Sequence, residues 1–166
     1  MPSLNTIVPC LWFDKQAEDA AKYYVTIFKD SRITRINHFS ETGQEIHGQP
    51  AGLVLTVAFE LGGQPFTALN GGPQFKFNEA VSLQVMCATQ KEIDYYWEKL
   101  SAGGDKSAQQ CGWLKDRFGL SWQVEWDGMA ELLSDAKSDG YQRAMAAMLQ
   151  MKKLDIAALQ RAYDGE

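Results

Sequence analysis

Residues 111–126 read CGWLKDRFGLSWQVEW. From Leu120 to Trp126 apolar and polar side chains alternate, the period-two pattern of a strand with one apolar and one polar face. Asp116 and Arg117 stand just before Gly119, where an Asp-Arg pair fixing a hairpin is the expected use of those side chains. Short strands are therefore expected around 106–111 and 112–117, followed by a clear one at 120–126. Upstream, residues 80–88 (AVSLQVMCA) read as a strand. Residues 90–101 switch to helical spacing, with Ile93, Tyr96, Trp97 and Leu100 on one stripe and Ala102-Gly103-Gly104 as the stop.

The same order stands in the first half. Residues 4–13 (LNTIVPCLWF) form an apolar run of strand length. Residues 16–28 place Ala17, Ala20, Ala21, Tyr24, Ile27 and Phe28 on one helical face, with Asp14 as the expected cap. Residues 31–40 return to β-branched composition, and a polar loop, ETGQEIHGQPAG, follows. Residues 52–61 and 64–70 are strands joined across Gly62-Gly63, a dipeptide suited to a tight hairpin. Two stretches that agree on strand, helix, strand, strand, strand carry more weight than any single element. The expected fold class is α+β: two βαβββ modules, residues 4–73 and 78–127, within one domain spanning 1–166.

Residues 128–166 form a helical extension. Ser138 or Asp139 caps a helix to about residue 152, with Tyr141, Ala144, Met145, Met148 and Leu149 on one face. Asp155 caps a last helix through Tyr163. The methionine stripe reads as packing or subunit contact rather than a cofactor box.

Composition excludes several classes of function. The net charge of −5, with no basic cluster beyond Lys152-Lys153, argues against nucleic acid. No apolar run is long enough to span a bilayer, and the N-terminal stretch lacks the basic start of a signal peptide. Cys10, Cys87 and Cys111 are odd in number and widely spaced, so they form no disulfide framework, and a cytoplasmic location is expected.

The stretches 111–126, 9–24 (PCLWFDKQAEDAAKYY) and 59–85 (FELGGQPFTALNGGPQFKFNEAVSLQV) together resemble the PhnB-like branch of the vicinal-oxygen-chelate superfamily. This is the glyoxalase/bleomycin-resistance/dioxygenase group, and the branch is often labelled 3-demethylubiquinone-9 3-methyltransferase. The resemblance covers nearly the whole chain. It implies paired βαβββ modules whose strands form a curved mixed sheet around a cavity, and a homodimer. It implies no single activity, because the superfamily holds lyases, dioxygenases, isomerases and binders. Methyltransfer on a Rossmann-like fold is not expected, since no Gly-rich triplet follows any strand.

Superfamily members hold a divalent metal on four strands. Carried over by strand order, those positions fall at Ile7-Val8-Pro9, at Thr67, at Ser82 (or Ala80), and at Gln123. Only Gln123 is a ligand type, and an amide is a weak one; neither His38 nor His47 falls at such a position. No metal site and no cofactor are therefore expected.

VSLQV (81–85) and LSWQV (120–124) share one arrangement, with Ser and Gln on one face and apolar residues on the other. Such alternation by itself fits a solvated sheet face. The resemblance implies instead that these faces line the cavity. The candidate ligand-binding residues are then Thr67, Asn70, Ser82, Gln84, Cys111, Trp113, Ser121, Gln123 and Glu125. Cys111 has no histidine beside it and reads more readily as a small buried hydrophobe than as a nucleophile. The favoured function is small-molecule binding. The alternative is lyase, isomerase or dioxygenase-type chemistry, metal-assisted or metal-free, on a small polar metabolite.

Overall fold

The computed structural model describes residues 7–166, and the chain divides between Lys76 and Phe77 into two units. The first unit runs strand β1 (Cys10–Phe13), helix α1 (Ala17–Ile27), strand β2 (Arg32–His38), a single helical turn α2 (Gln44–His47), strand β3 (Val54–Leu61) and strand β4 (Gln64–Asn70). Its sheet has the order β1-β4-β3-β2, with β1 parallel to β4 and the other pairs antiparallel. Gly62 and Gly63 both have positive φ, 54° and 84°, as the two-residue hairpin between β3 and β4 requires.

The helical face read from the sequence is the buried one. Ala17, Ala20, Ala21, Tyr24 and Ile27 are buried, as are Val57, Phe59, Phe66 and Ala68 on the strands. The Tyr24 ring stacks on Phe59 at 6.3 Å, and Phe59 stacks on Phe66 at 5.4 Å. The small alanines let the helix approach the sheet closely while the three rings fill the remaining volume.

Three expectations for this unit are corrected. Asp14 does not cap α1. The first helical N–H, of Ala17, is instead accepted by Asn70 Oδ1 at 2.8 Å, from the end of β4. That partner lies 53 residues away and no local pattern reveals it. The polar loop also contains α2, bracketed by Gly43 and Gly48 in left-handed conformation. The first strand begins only at Cys10, and residues 4–6 of the expected strand lie outside the described residues.

The second unit runs strand β5 (Leu83–Cys87), helix α3 (Gln90–Ser101), strand β6 (Trp113–Lys115), strand β7 (Ser121–Trp126) and helices α4 (Met129–Leu132), α5 (Asp139–Met148) and α6 (Ile156–Asp164). Its sheet order is β5-β7-β6, with β5 parallel and β6 antiparallel to β7. Helix α3 starts with a capping box: Thr89 Oγ1 accepts from Glu92 N, and Glu92 reaches back to Thr89 N at 3.0 Å. Asp116 organises the β6–β7 turn. Its Oδ1 accepts from Phe118 N at 2.8 Å and Leu120 N at 3.1 Å, and its Oδ2 accepts from Trp122 Nε1 at 2.8 Å.

The strand expected around 106–111 is absent. A 3₁₀ turn (Lys106–Ala108) stands there, followed by one isolated bridge between Gln110 and Trp113. Asp105 Oδ1 accepts from Ser107 N at 2.8 Å and Ser107 Oγ at 2.7 Å, a local competitor to a strand ladder. The second unit therefore holds three strands where the repeat implied four. Its topology is otherwise as read, and the fold class is α+β with two mixed sheets.

The tail is corrected at one point. Helix α5 stops at Met148 rather than near 152, and Leu149 is half exposed. The reason is a tertiary pairing: Met151 O and Lys152 O accept from Cys111 N and Gly112 N, both at 2.8 Å. Gln90 fixes the next segment, donating to Leu154 O at 3.0 Å and accepting from Ile156 N at 2.8 Å. The short helix α4 was not anticipated. Ser138 and Asp155 cap α5 and α6 as read.

Candidate functional site

In strand β7 the odd-numbered side chains, Ser121, Gln123 and Glu125, share one face, and Trp122 and Val124 are buried on the other. The pairing registers extend that face across the sheet. Gln84 lies beside Gln123 and Met86 beside Glu125 on β5; Trp113 lies beside Gln123 and Lys115 beside Ser121 on β6.

Two of these side chains, Gln84 and Gln123, form a directed relay with Ser82. Gln84 Nε2 donates to Gln123 Oε1 at 3.4 Å, and Gln123 Nε2 donates to Ser82 Oγ at 2.6 Å. Ser82 stands just before β5, close enough to close the chain of bonds. Because Ser82 Oγ accepts, its own proton is directed elsewhere, and Gln84 leaves its Oε1 at the other end. The relay thus presents a donor at Ser82 and an acceptor at Gln84, held by a satisfied amide between them.

The flanks of the relay are unusual. Ser121 is fully buried, and its Oγ has no hydrogen-bond partner among the described residues. Such an orphaned hydroxyl costs stability and calls for a role. Burial pushes the Glu125 carboxyl above the usual carboxylate range. Its Oε1 lies against Gly112, where an added Cβ would come within 3.2 Å of that oxygen and 2.9 Å of Val124 O. Lys115, at the far end, is ion-paired with Glu79. Trp113 is half-buried beside Gln123 and supplies an apolar wall.

The remaining expected site residues fall elsewhere. Cys111 leaves the row because it and Gly112 both have positive φ, 51° and 85°, which breaks the alternation. Its Sγ donates to Met148 O at 3.4 Å, and burial with the nearby Glu125 carboxylate pushes its thiol up. Thr67 and Asn70 belong to the first unit. Thr67 is half-buried between Cys10 and Ala58. Asn70 is buried with both amide groups occupied, Oδ1 by Ala17 N and Nδ2 by Val54 O at 2.9 Å. Its role in the structure is that of a clamp between α1, β3 and β4.

Among the described residues no group of three or more His, Cys, Asp or Glu side chains is placed to hold a metal ion. The row offers hydroxyls, two carboxamides and one carboxyl, a donor set that does not fit a tightly held divalent cation. Sequence reading missed Met86, Lys115 and Glu79 as members or neighbours of the face. Alternation in 81–87 and the register with β7 are the signals that find the first two.

The sequence profile of the 3-demethylubiquinone-9 3-methyltransferase family matches residues 5–125, more than half of the chain. The chain belongs to this family. Among solved structures, the PhnB protein from Bacillus cereus is 32% identical, covering 74% of this chain and 99% of its own, with a TM-score of 0.63. A protein from Pseudomonas aeruginosa is 20% identical over 75% of this chain and 98% of its own, with a TM-score of 0.58. A glyoxalase/bleomycin-resistance/dioxygenase domain from Frankia is 15% identical over 75% of this chain and 93% of its own, with a TM-score of 0.48. No curated protein matches the chain. The family match ends at Glu125, so the relay residues Ser82, Gln84 and Gln123 lie inside it, whereas α4, α5 and α6 lie beyond it.

Proposed function

We propose that this chain binds a small polar molecule on the face formed by Ser82, Gln84, Gln123 and Glu125, without a metal ion. The observation that carries this reading is the Gln84–Gln123–Ser82 relay. A merely solvated sheet face has no need of a directed donor–acceptor array beside a buried hydroxyl that lacks a partner. The ligand that fits has an acceptor for Ser82 and a donor for Gln84, with an apolar edge against Trp113.

Substitution of Gln123 by leucine tests it. The volume is nearly kept while both hydrogen-bonding groups are removed. The fold is expected to survive, and the stabilisation by a bound polar metabolite in a thermal-shift panel is expected to fall by about 1–3 kcal/mol in binding energy. A metabolite that stabilises both proteins equally would place binding elsewhere.

A second reading has one observation in its favour. Glu125 shares the face and its carboxyl is held above the usual range, as suits a general acid or base. Metal-free lyase or isomerase chemistry would use it beside the relay. The family's methyltransferase description has no matching feature on this face: among the described residues no GxGxxG-type turn leads from a strand into a helix to hold a nucleotide-like methyl donor.

The protein is read as a homodimer. Strand β5 is an edge of its sheet; Val81 just before it and Met86 on it are 70% and 56% exposed. A monomer mass by light scattering at micromolar concentration would overturn this. No helix among the described residues is long and apolar enough to cross a membrane. Three free thiols fit a reducing cytoplasm.

A further inference from the structure

The first unit carries a second cleft, about 430 Å³ in volume, where the ends of β1 and β4 meet the segment around α2. Its floor is Trp12. The indole lies flat against Gly71, where an added Cβ would sit 2.2 Å from Cζ2, so only glycine admits the ring. Trp12 Nε1 donates to Gly72 O at 2.8 Å and fixes the ring in place. Phe75 meets it edge-on at 4.9 Å while remaining 65% exposed.

The facing wall is Phe39 with His47, ring centroids 4.7 Å apart. His47 Nδ1 accepts from Gln49 N at 3.0 Å, and its Nε2 lies 3.4 Å from Thr42 O. Among the described residues no Asp, Glu, Lys or Arg side chain lines the cleft. The polar groups left to it are two carboxamides, those of Gln49 and Gln74, neither of which has a side-chain partner among the described residues. They converge over Gly72: a Cβ placed there would lie 3.6 Å from Gln49 Nε2 and 3.1 Å from Gln74 Oε1. A donor and an acceptor thus stand side by side at the edge of an aromatic slot.

We infer that this cleft binds a small, neutral, planar heteroaromatic molecule that carries an adjacent donor and acceptor on one edge, as a lactam does. The flat walls select a π-face, because offset and edge-on ring contacts are the favourable ones. The uncharged lining disfavours an ionised ligand, which would lose hydration without a counter-charge. Paired carboxamides match a lactam edge bond for bond. The volume suits one or two fused rings. This site is separate in sequence and chemistry from the relay on β5 and β7.

The test uses 2-quinolone, a neutral bicyclic lactam, and 2-naphthoate, an anion of similar shape. Binding to the full-length protein is followed by amide- and indole-correlation NMR, with the Trp12 indole N–H signal assigned by a Trp12→Phe variant. The lactam is expected to shift the Trp12 indole signal saturably at sub-millimolar concentration, and the naphthoate is expected to bind at least about tenfold more weakly, roughly one hydrogen-bonded contact's worth of affinity. A Gln49→Leu/Gln74→Leu double variant is expected to lose a similar factor for the lactam while its circular dichroism stays unchanged. If that variant does not fold, Phe75→Ala, at an exposed ring, serves in its place and is expected to weaken binding likewise. No saturable shift, equal binding of the naphthoate, or undiminished binding by the folded variant would overturn the inference.

Discussion

Trp122 Nε1 donates to Asp116 Oδ2 at 2.8 Å, and both residues are buried. The same carboxylate accepts from Phe118 N and Leu120 N through its other oxygen. One side chain therefore closes the β6–β7 turn and anchors the indole that backs the candidate site. Asp116→Ala is expected to destabilise the protein by about 3 kcal/mol or more, because it leaves a buried indole N–H and backbone donors without an acceptor. Chemical denaturation of the two proteins reads this directly; a loss under about 1 kcal/mol would mean that other groups satisfy those donors.

Ser121 offers the opposite sign. Its hydroxyl is buried without a partner among the described residues, so removing it removes a penalty. Ser121→Ala is expected to leave the ligand-free protein unchanged or to stabilise it by up to about 1 kcal/mol. Its effect on ligand-induced stabilisation separates a binding hydroxyl from an idle one. A marked fall in the ligand-free melting temperature would show that the hydroxyl is bonded in the folded protein.

Glu125 gives a pH dependence. Burial raises its carboxyl pKa in the folded protein above the value in the unfolded chain, about 4.3. The folded state then binds more protons than the unfolded state between those two values. This contribution to stability is present below the unfolded pKa and is lost as pH rises through the folded one. Glu125→Gln is expected to abolish that part of the decline in melting temperature on raising the pH from about 4. Parallel pH profiles for the two proteins would contradict the assignment.

Cys87 is almost wholly buried, and its thiol is pushed up to about 12, chiefly by burial and then by the carboxylates of Glu92, Asp127 and Glu125. At pH 8 its thiolate is on the order of one part in ten thousand. A thiol reagent is expected to leave Cys87 unmodified in the folded protein and to label it only in denaturant. Mass spectrometry of peptides after brief alkylation is the measurement, and modification of Cys87 at a rate close to that of exposed Cys10 would refute it.

What the sequence alone determined follows from periodicity. The α1 face with Ala17, Ala20, Ala21, Tyr24 and Ile27, the Gly62-Gly63 hairpin, the helix at Gln90–Ser101 and the alternation in Ser121–Trp126 are written in spacing of 3.6 or 2, which local backbone geometry imposes. The pairing of Ser82, Gln84 and Gln123 was legible as one shared face because VSLQV and LSWQV repeat in register. Tertiary structure alone decided the rest. Asn70 reads as a polar residue ending a strand, and only a contact 53 residues away makes it the cap of α1. Cys111 reads as the next member of the row, and left-handed backbone at Cys111 and Gly112 removes it. The aromatic cleft of Trp12, Phe39, His47 and Phe75 has no sequence signature, since its walls come from segments up to 63 positions apart and no period links them. Periodicity reports which side of an element meets apolar surroundings. It does not report which distant group supplies a hydrogen bond, because that choice is made only when the chain closes on itself.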